Sequence, residues 1–198
     1  MEFRYQILRN FDAESLSNKL YSSLYGAVGD VDVLMLMGKW FTVIDSPRGG
    51  RLDRCTVAFY ELLQKGFHTA TFSVKQYSIT NDELLSTVGY GRKYGNEAGE
   101  LLINTGKQND PCPYSIVRTG PINTNNQYDY VILSQPLKYP TVVLARDPLK
   151  FEKLYQAEVK EFLITNLYWK PVVTFGGELF IVNATSCILS NKYYYLGI

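Results

Sequence analysis

The chain has 198 residues, with 20 Lys and Arg against 19 Asp and Glu and a formal net charge of +1, which suits one domain of generous size and gives no electrostatic reason to expect a nucleic acid or an acidic membrane surface as partner. The basic residues are scattered, so salt-dependent phosphate binding is unsupported. No run reaches the roughly 18 to 20 apolar residues that span a bilayer as a helix, while 16 Tyr and 10 Phe favour strands over a helical bundle.

Met1-Glu2-Phe3-Arg4-Tyr5-Gln6 lacks the apolar core of a secretory signal, so the chain reads as mature or truncated, or as cytosolic. Behind Asp12, an N-cap residue, Leu16, Leu20, Tyr21, Leu24 and Tyr25 recur at helical spacing and predict a short amphipathic helix over 12–25. Gly26 and Gly29-Asp30 end it. From Gly38 the texture changes to short β-branched and aromatic runs between turn residues, the mark of an antiparallel sandwich or barrel. Strands are predicted near 38–45, 54–63, 67–79, 84–93, 99–105, 113–119, 128–135 and 139–146. Most connections are a few residues long, which suits antiparallel neighbours joined up and down. The stretch 45–53, containing Ser46-Pro47-Arg48-Gly49-Gly50-Arg51, is the longer exception.

Asp147 as N-cap and Pro148 as first helical residue open a predicted helix of about 148–165, with Phe151, Leu154, Tyr155, Val159, Phe162 and Leu163 on one stripe. A last strand is expected at Glu178-Leu179-Phe180-Ile181-Val182. Nothing in the pattern suggests an internal repeat or a linker to a second domain.

The residues that could carry chemistry are few. His68 is the sole histidine, and Cys55, Cys112 and Cys187 form no Cys-x-x-Cys pair, so no zinc site is expected. Gly89-Tyr90-Gly91 lies in a strand pattern and Gly176-Gly177 reads as a turn, so neither is a phosphate loop. No cofactor, metal or catalytic residue is expected.

Gly38-Lys39-Trp40-Phe41-Thr42-Val43, followed about a hundred residues later by Val142-Val143-Leu144-Ala145-Arg146-Asp147-Pro148 and a helix, resembles the lipocalin family. A third region, the strand Tyr128-Asp129-Tyr130-Val131-Ile132-Leu133-Ser134, matches in place, although the turn before it reads Asn123-Thr124-Asn125 where the family carries Thr-Asp-Tyr. The resemblance implies an all-β fold, an eight-stranded antiparallel up-and-down barrel with an N-terminal helical segment and a C-terminal α-helix packed on the wall. Its divisions would be 1–33 as helical extension, 34–190 as barrel with flanking helix and final strand, and 191–198 as tail. Gly38, Trp40 and Arg146 would form the closed-end motif, with the guanidinium packed across the indole, a contact of roughly 0.5–2 kcal/mol.

Within that family, Arg54-Cys55-Thr56-Val57-Ala58-Phe59-Tyr60 is similar to the Cys-bearing second strand of the apolipoprotein D branch and of nematode lipocalin-related proteins. The resemblance implies a Cys55–Cys187 disulfide; the alternative is two unpaired core thiols in a cytosolic chain. Cys112 has no obvious partner. Asn183-Ala184-Thr185 is an Asn-x-Thr acceptor for glycosylation. A disulfide and this acceptor together imply a secreted protein whose signal is absent from the chain.

An eight-stranded barrel is wide enough either to fill with side chains or to hold one small ligand. The expected function is extracellular binding and transport or sequestration of a small hydrophobic ligand: a lipid, fatty acid, sterol or terpenoid. Alternation along the strands gives candidate wall residues Val57 and Phe59, Phe72 and Val74, Leu101 and Ile103, Tyr114 and Ile116, Tyr130 and Ile132. Each pair faces outward instead if the register is displaced by one residue. Arg118 is either a partner for a ligand carboxylate or a solvated strand-end charge. Two rivals come from other classes. One is an enzyme using Cys55 as a thiol nucleophile, for which no base lies near in sequence. The other is a structural protein of an apical extracellular matrix, meeting a matrix protein or cell-surface receptor through the Ser46–Arg51 loop and Tyr193-Tyr194-Tyr195.

Overall fold

The computed structural model describes residues 26–47, 55–80, 83–97, 99–108, 110, 112–171 and 177–187. The helix expected over 12–25, most of the 45–53 loop and the Tyr193-Tyr194-Tyr195 tail lie outside the described residues.

Among the described residues nine strands form one sheet: β1 Gly38–Asp45, β2 Val57–Lys65, β3 Ala70–Thr80, β4 Glu83–Lys93, β5 Leu101–Asn104, β6 Tyr114–Thr119, β7 Tyr130–Ser134, β8 Thr141–Ala145 and β9 Phe180–Ile181. Neighbours in sequence pair antiparallel from β2 to β8, and β1 closes the barrel by pairing with both β8 and β2. β1 is shared lengthwise: Gly38–Phe41 pair with Tyr60–Val57, while Ile44 and Asp45 pair with Ile181 and Phe180 of β9. The last strand therefore extends the sheet where β2 has diverged from β1.

Among the described residues three apolar clusters share the barrel wall, the smallest gathered around Cys55 and Cys187 on its outside. The inner one gathers Trp40, Ala58, Tyr60, Phe72, Val74, Leu101, Ile103, Tyr114, Ile116, Val131, Leu133, Val142 and Leu144, with Val31, Val33 and Leu36 beneath them. The larger outer one sits under α1 (Pro148–Leu154) and α2 (Gln156–Thr165) and contains Val43, Ile44, Tyr130, Ile132, Val143, Phe151, Val159 and Leu163.

Asp147 starts α1 by accepting from the N–H groups of Leu149 and Lys150, both at 3.0 Å, which satisfies donors that the first turn leaves open. The expected single helix is broken at Tyr155, whose φ of −121° is outside the helical region. Its hydroxyl donates to Asp129 Oδ2 at 2.7 Å and its ring meets Tyr130 at 5.4 Å, so the break seats Tyr155 on the wall. Leu154, expected on the buried stripe, is exposed.

Candidate functional site

One end of the barrel is sealed from the sequence upward. Residues 26–37 cross beneath the strands, and a short 3-10 turn, Val33–Leu36, presses Val33 and Leu36 into the interior. Trp40 follows, wholly buried, its indole N–H donating to the Leu36 carbonyl at 2.8 Å. Ala58 is its cross-strand partner on β2, and the small side chain leaves width for the indole. The Arg146 guanidinium lies 3.6 Å from the ring centroid and donates to the carbonyls of Lys39 and Met35, each at 2.9 Å, and of Tyr128 at 3.4 Å. Gly38 holds φ at +100°, and a Cβ there would stand 3.2 Å from an Arg146 nitrogen, so both conformation and space favour glycine. Burial lowers the Arg146 pKa to about 10, opposed by Tyr60 and Asp129, and the group stays a cation at neutral pH.

Asp129 supports this end from outside. Its Oδ2 receives Lys150 Nζ and the Tyr155 hydroxyl, both at 2.7 Å. Burial raises its pKa, but these hydrogen bonds outweigh burial and hold the carboxyl below its ordinary value. Here Tyr128-Asp129-Tyr130 does the work that the Asn123-Thr124-Asn125 turn had left without a carboxylate.

The opposite end is built differently. Moving up the inner wall, the apolar floor of Tyr60, Phe72, Val74, Ile103, Tyr114 and Ile116 gives way to a collar of Thr42, Thr56, Gln76, Thr87 and Thr105. Strand parity places them: Gln76 follows Phe72 and Val74 at alternate positions, pairs with Ala58 on one side and with Thr87 on the other. Thr42 pairs with inward Leu144, and Thr56 lies between outward Cys55 and Val57. Thr105 donates to Asp110, which also receives the Tyr114 hydroxyl at 3.2 Å. At the rim, Ser46 and Thr141 exchange two hydrogen bonds of 2.8 and 2.9 Å, and Ser134 meets Thr141 at 2.8 Å.

The sequence-predicted wall residues divide in two. Phe72, Val74, Leu101, Ile103, Tyr114 and Ile116 face the interior. Val57 and Phe59 do not: they point outward into a cluster with Cys55, Cys187 and Phe41, and Ala58 and Tyr60 take the inner face. Tyr130 and Ile132 also point outward, under α1 and α2, where Tyr130 meets the Phe151 ring edge-on at 5.9 Å. Val131 and Leu133 replace them inside.

Arg118 faces outward, paired with Glu158 and 4.8 Å over the Phe162 ring, so it does not wait for a carboxylate inside. Cys55 and Cys187 are joined at 2.05 Å across a sequence separation of 132. Cys112 is a free, exposed thiol. His68 lies on the surface 3.0 Å from the Asn96 amide nitrogen. Asn183 is exposed and its side chain accepts from the Thr185 N–H. Among the described residues, no group of three His, Cys, Asp or Glu is placed to hold a metal ion, and no helix is long and apolar enough to cross a membrane.

Two features of the interior escaped the sequence reading. The floor is closely packed: Trp40, Phe72, Val74, Ile103 and Tyr114 have 0 % relative exposure and Ile116 has 1 %. Gly91 contributes, since any Cβ there would lie 1.9 Å from the Phe72 ring. The second feature is polar. Thr56 Oγ1, Tyr60 Oη, Gln76 Oε1 and Thr87 Oγ1 are buried without a hydrogen-bond partner. Each such group carries a penalty of about 1–3 kcal/mol. Burial also pushes the Tyr60 phenol well above its ordinary pKa. The alternation Phe72, Val74, Gln76 was the available signal for a polar residue on the inner face.

Comparison with a family profile agrees with the architecture. The profile of the Lipocalin domain family matches residues 18–195. Among solved structures, Japanin from Rhipicephalus appendiculatus bound to cholesterol is similar at a TM-score of 0.43 and 13% identity, over 75% of this chain and 93% of that one. Against curated proteins the chain has no match.

Proposed function

The chain belongs to the lipocalin family, and from that premise we propose that it binds and carries a small, mainly apolar ligand through the interior of its barrel. The observation that carries this reading is the contrast between the two ends. One is locked by Trp40, Arg146 and three backbone carbonyls; the other offers unpartnered polar atoms above an apolar floor. Access is from the latter.

The Cys55–Cys187 bond supports an oxidising, extracellular setting. The exposed Asn183 acceptor is consistent with it. The same bond supports an apolipoprotein D-like placement within the family, and because it consumes Cys55 it supports a binder over a thiol enzyme. A second reading, a docking protein of an apical extracellular matrix, draws on the exposed Leu84, Leu85, Val88 and Tyr90 of β4.

The deciding experiment is mass spectrometry of the organic extract of protein secreted from a eukaryotic host without detergent. The control is Val142→Trp, at the inner rim, where relative exposure reaches 8 % and a larger side chain blocks the approach. A stoichiometric lipid on the wild type and none on the control is the expected result. Equal, empty extracts, together with failure of added lipids to bind either protein, overturn the transport reading and leave the docking reading in place.

A further inference from the structure

Gln76 and Thr87 are directly opposed on β3 and β4, yet Gln76 Oε1 and Thr87 Oγ1 bond neither each other nor any other group. Thr56 on β2 adds a third such atom on the same inner surface. Thr56 has 3 % relative exposure and Gln76 7 %, and the Thr87 hydroxyl oxygen is enclosed although that residue as a whole is half-buried, so ordinary solvation does not explain these atoms. Native interiors satisfy nearly all buried polar atoms, and a cluster of exceptions on adjacent strands of a binding barrel asks for a visiting group.

The chemistry of that group follows from the collar. Gln76 Oε1 accepts only, so it needs a donor; a threonine hydroxyl donates and accepts. A carboxylate brings no donor for Gln76 Oε1, and the cations placed so far are engaged: Arg118 is outside on Glu158, Arg146 is held at the closed end, Lys93 donates to the Val31 carbonyl there, and Lys107, whose backbone N–H donates to Thr105 Oγ1, is not without a partner. Burying an ion without a counter-charge is strongly unfavourable. A hydroxyl both donates and accepts and carries no charge.

Resting on the ligand-binding reading above, we propose that Gln76 and Thr87, helped by Thr56, select a neutral amphiphile whose hydroxyl is buried against β3 and β4. Gln76 and Thr87 are specificity residues, and the ligand's apolar part lies toward the apolar floor below them.

The test is titration calorimetry with decan-1-ol, decanoate at pH 8 and 1-methoxydecane, which keeps the oxygen acceptor but lacks the donor. The wild type is expected to prefer the alcohol about tenfold or more over both. Gln76→Leu, close in shape, removes that preference while leaving the ether's affinity unchanged or higher, and Thr87→Val reduces it. Near-UV circular dichroism monitors folding, and if one variant does not fold the other still decides. Absence of binding by all three probes defeats the ligand-binding reading itself. Binding of all three within about threefold, preference for decanoate, or a preference that survives both substitutions leaves that reading standing and overturns the role of the collar, with water as the partner of these atoms.

Discussion

The two ends of this barrel use buried polarity in opposite ways. At the closed end the seal is bonded within itself: the Trp40 N–H has the Leu36 carbonyl, Arg146 has three carbonyls and an indole face, and Asp129 has Lys150 and Tyr155, leaving the Tyr60 hydroxyl beside Trp40 as the open group there. At the collar, Thr56, Gln76 and Thr87 have none. Polarity that is satisfied within the chain stabilises one structure; polarity left open weakens it and is available to something else. In this barrel the two ends differ in how fully their buried polar groups are hydrogen-bonded as well as in how apolar they are.

The comparison can be broken by substitution. Trp40→Ala empties the closed end and strips Arg146 of its ring, and an unfolding free energy lower by about 3–5 kcal/mol is expected in chemical denaturation. Replacing Cys55 and Cys187 together by Ser frees the C-terminal segment from the wall and lowers stability by about 2–5 kcal/mol in the same measurement, with the inner floor unchanged. Asp129→Asn gives a smaller loss, about 1 kcal/mol near neutral pH, because Lys150 is partly exposed. The sign with pH is definite. The folded-state pKa of Asp129 is depressed, so its contribution is present above the ordinary aspartate value of about 4 and is lost as pH falls below it. Denaturation midpoints of wild type and Asp129→Asn should therefore converge in acid. Gln76→Leu has the smallest effect and the opposite sense: it removes a buried atom without a partner, and stability unchanged or higher by up to about 1 kcal/mol is expected from thermal unfolding. A loss there as large as that of Trp40→Ala would erase the contrast.

Much of the fold was legible because its signals are physically specific. The β-branched and aromatic runs between turn residues mark the strands and Asp147-Pro148 is a strong helix start, so strands β1 to β8 and the helical region fall close to their expected places. Register was legible only where one face of a strand meets water. On β3 the contrast of Phe72 and Val74 with Ser73 and Lys75 assigns the inner face correctly. On β7 all five residues are buried, because α1 and α2 cover the outside as the barrel covers the inside, so alternation disappears and Tyr130 and Ile132 exchange places with Val131 and Leu133. The same holds on β2, where the disulfide cluster covers Val57 and Phe59. The collar was missed for a different reason: it is defined by missing partners, and a sequence shows which groups exist but not which remain alone.

The lock between Arg146 and the segment around Trp40 joins positions 107 residues apart, from the first strand of the barrel to the residue just past the last. During synthesis the indole must therefore wait for its guanidinium cover until almost the whole barrel has emerged, and a chain interrupted before β8 also leaves the edges of β1 and β7 open to its surroundings. The residue that seals the finished molecule thus also marks the point in synthesis at which the barrel's inner core can first be closed.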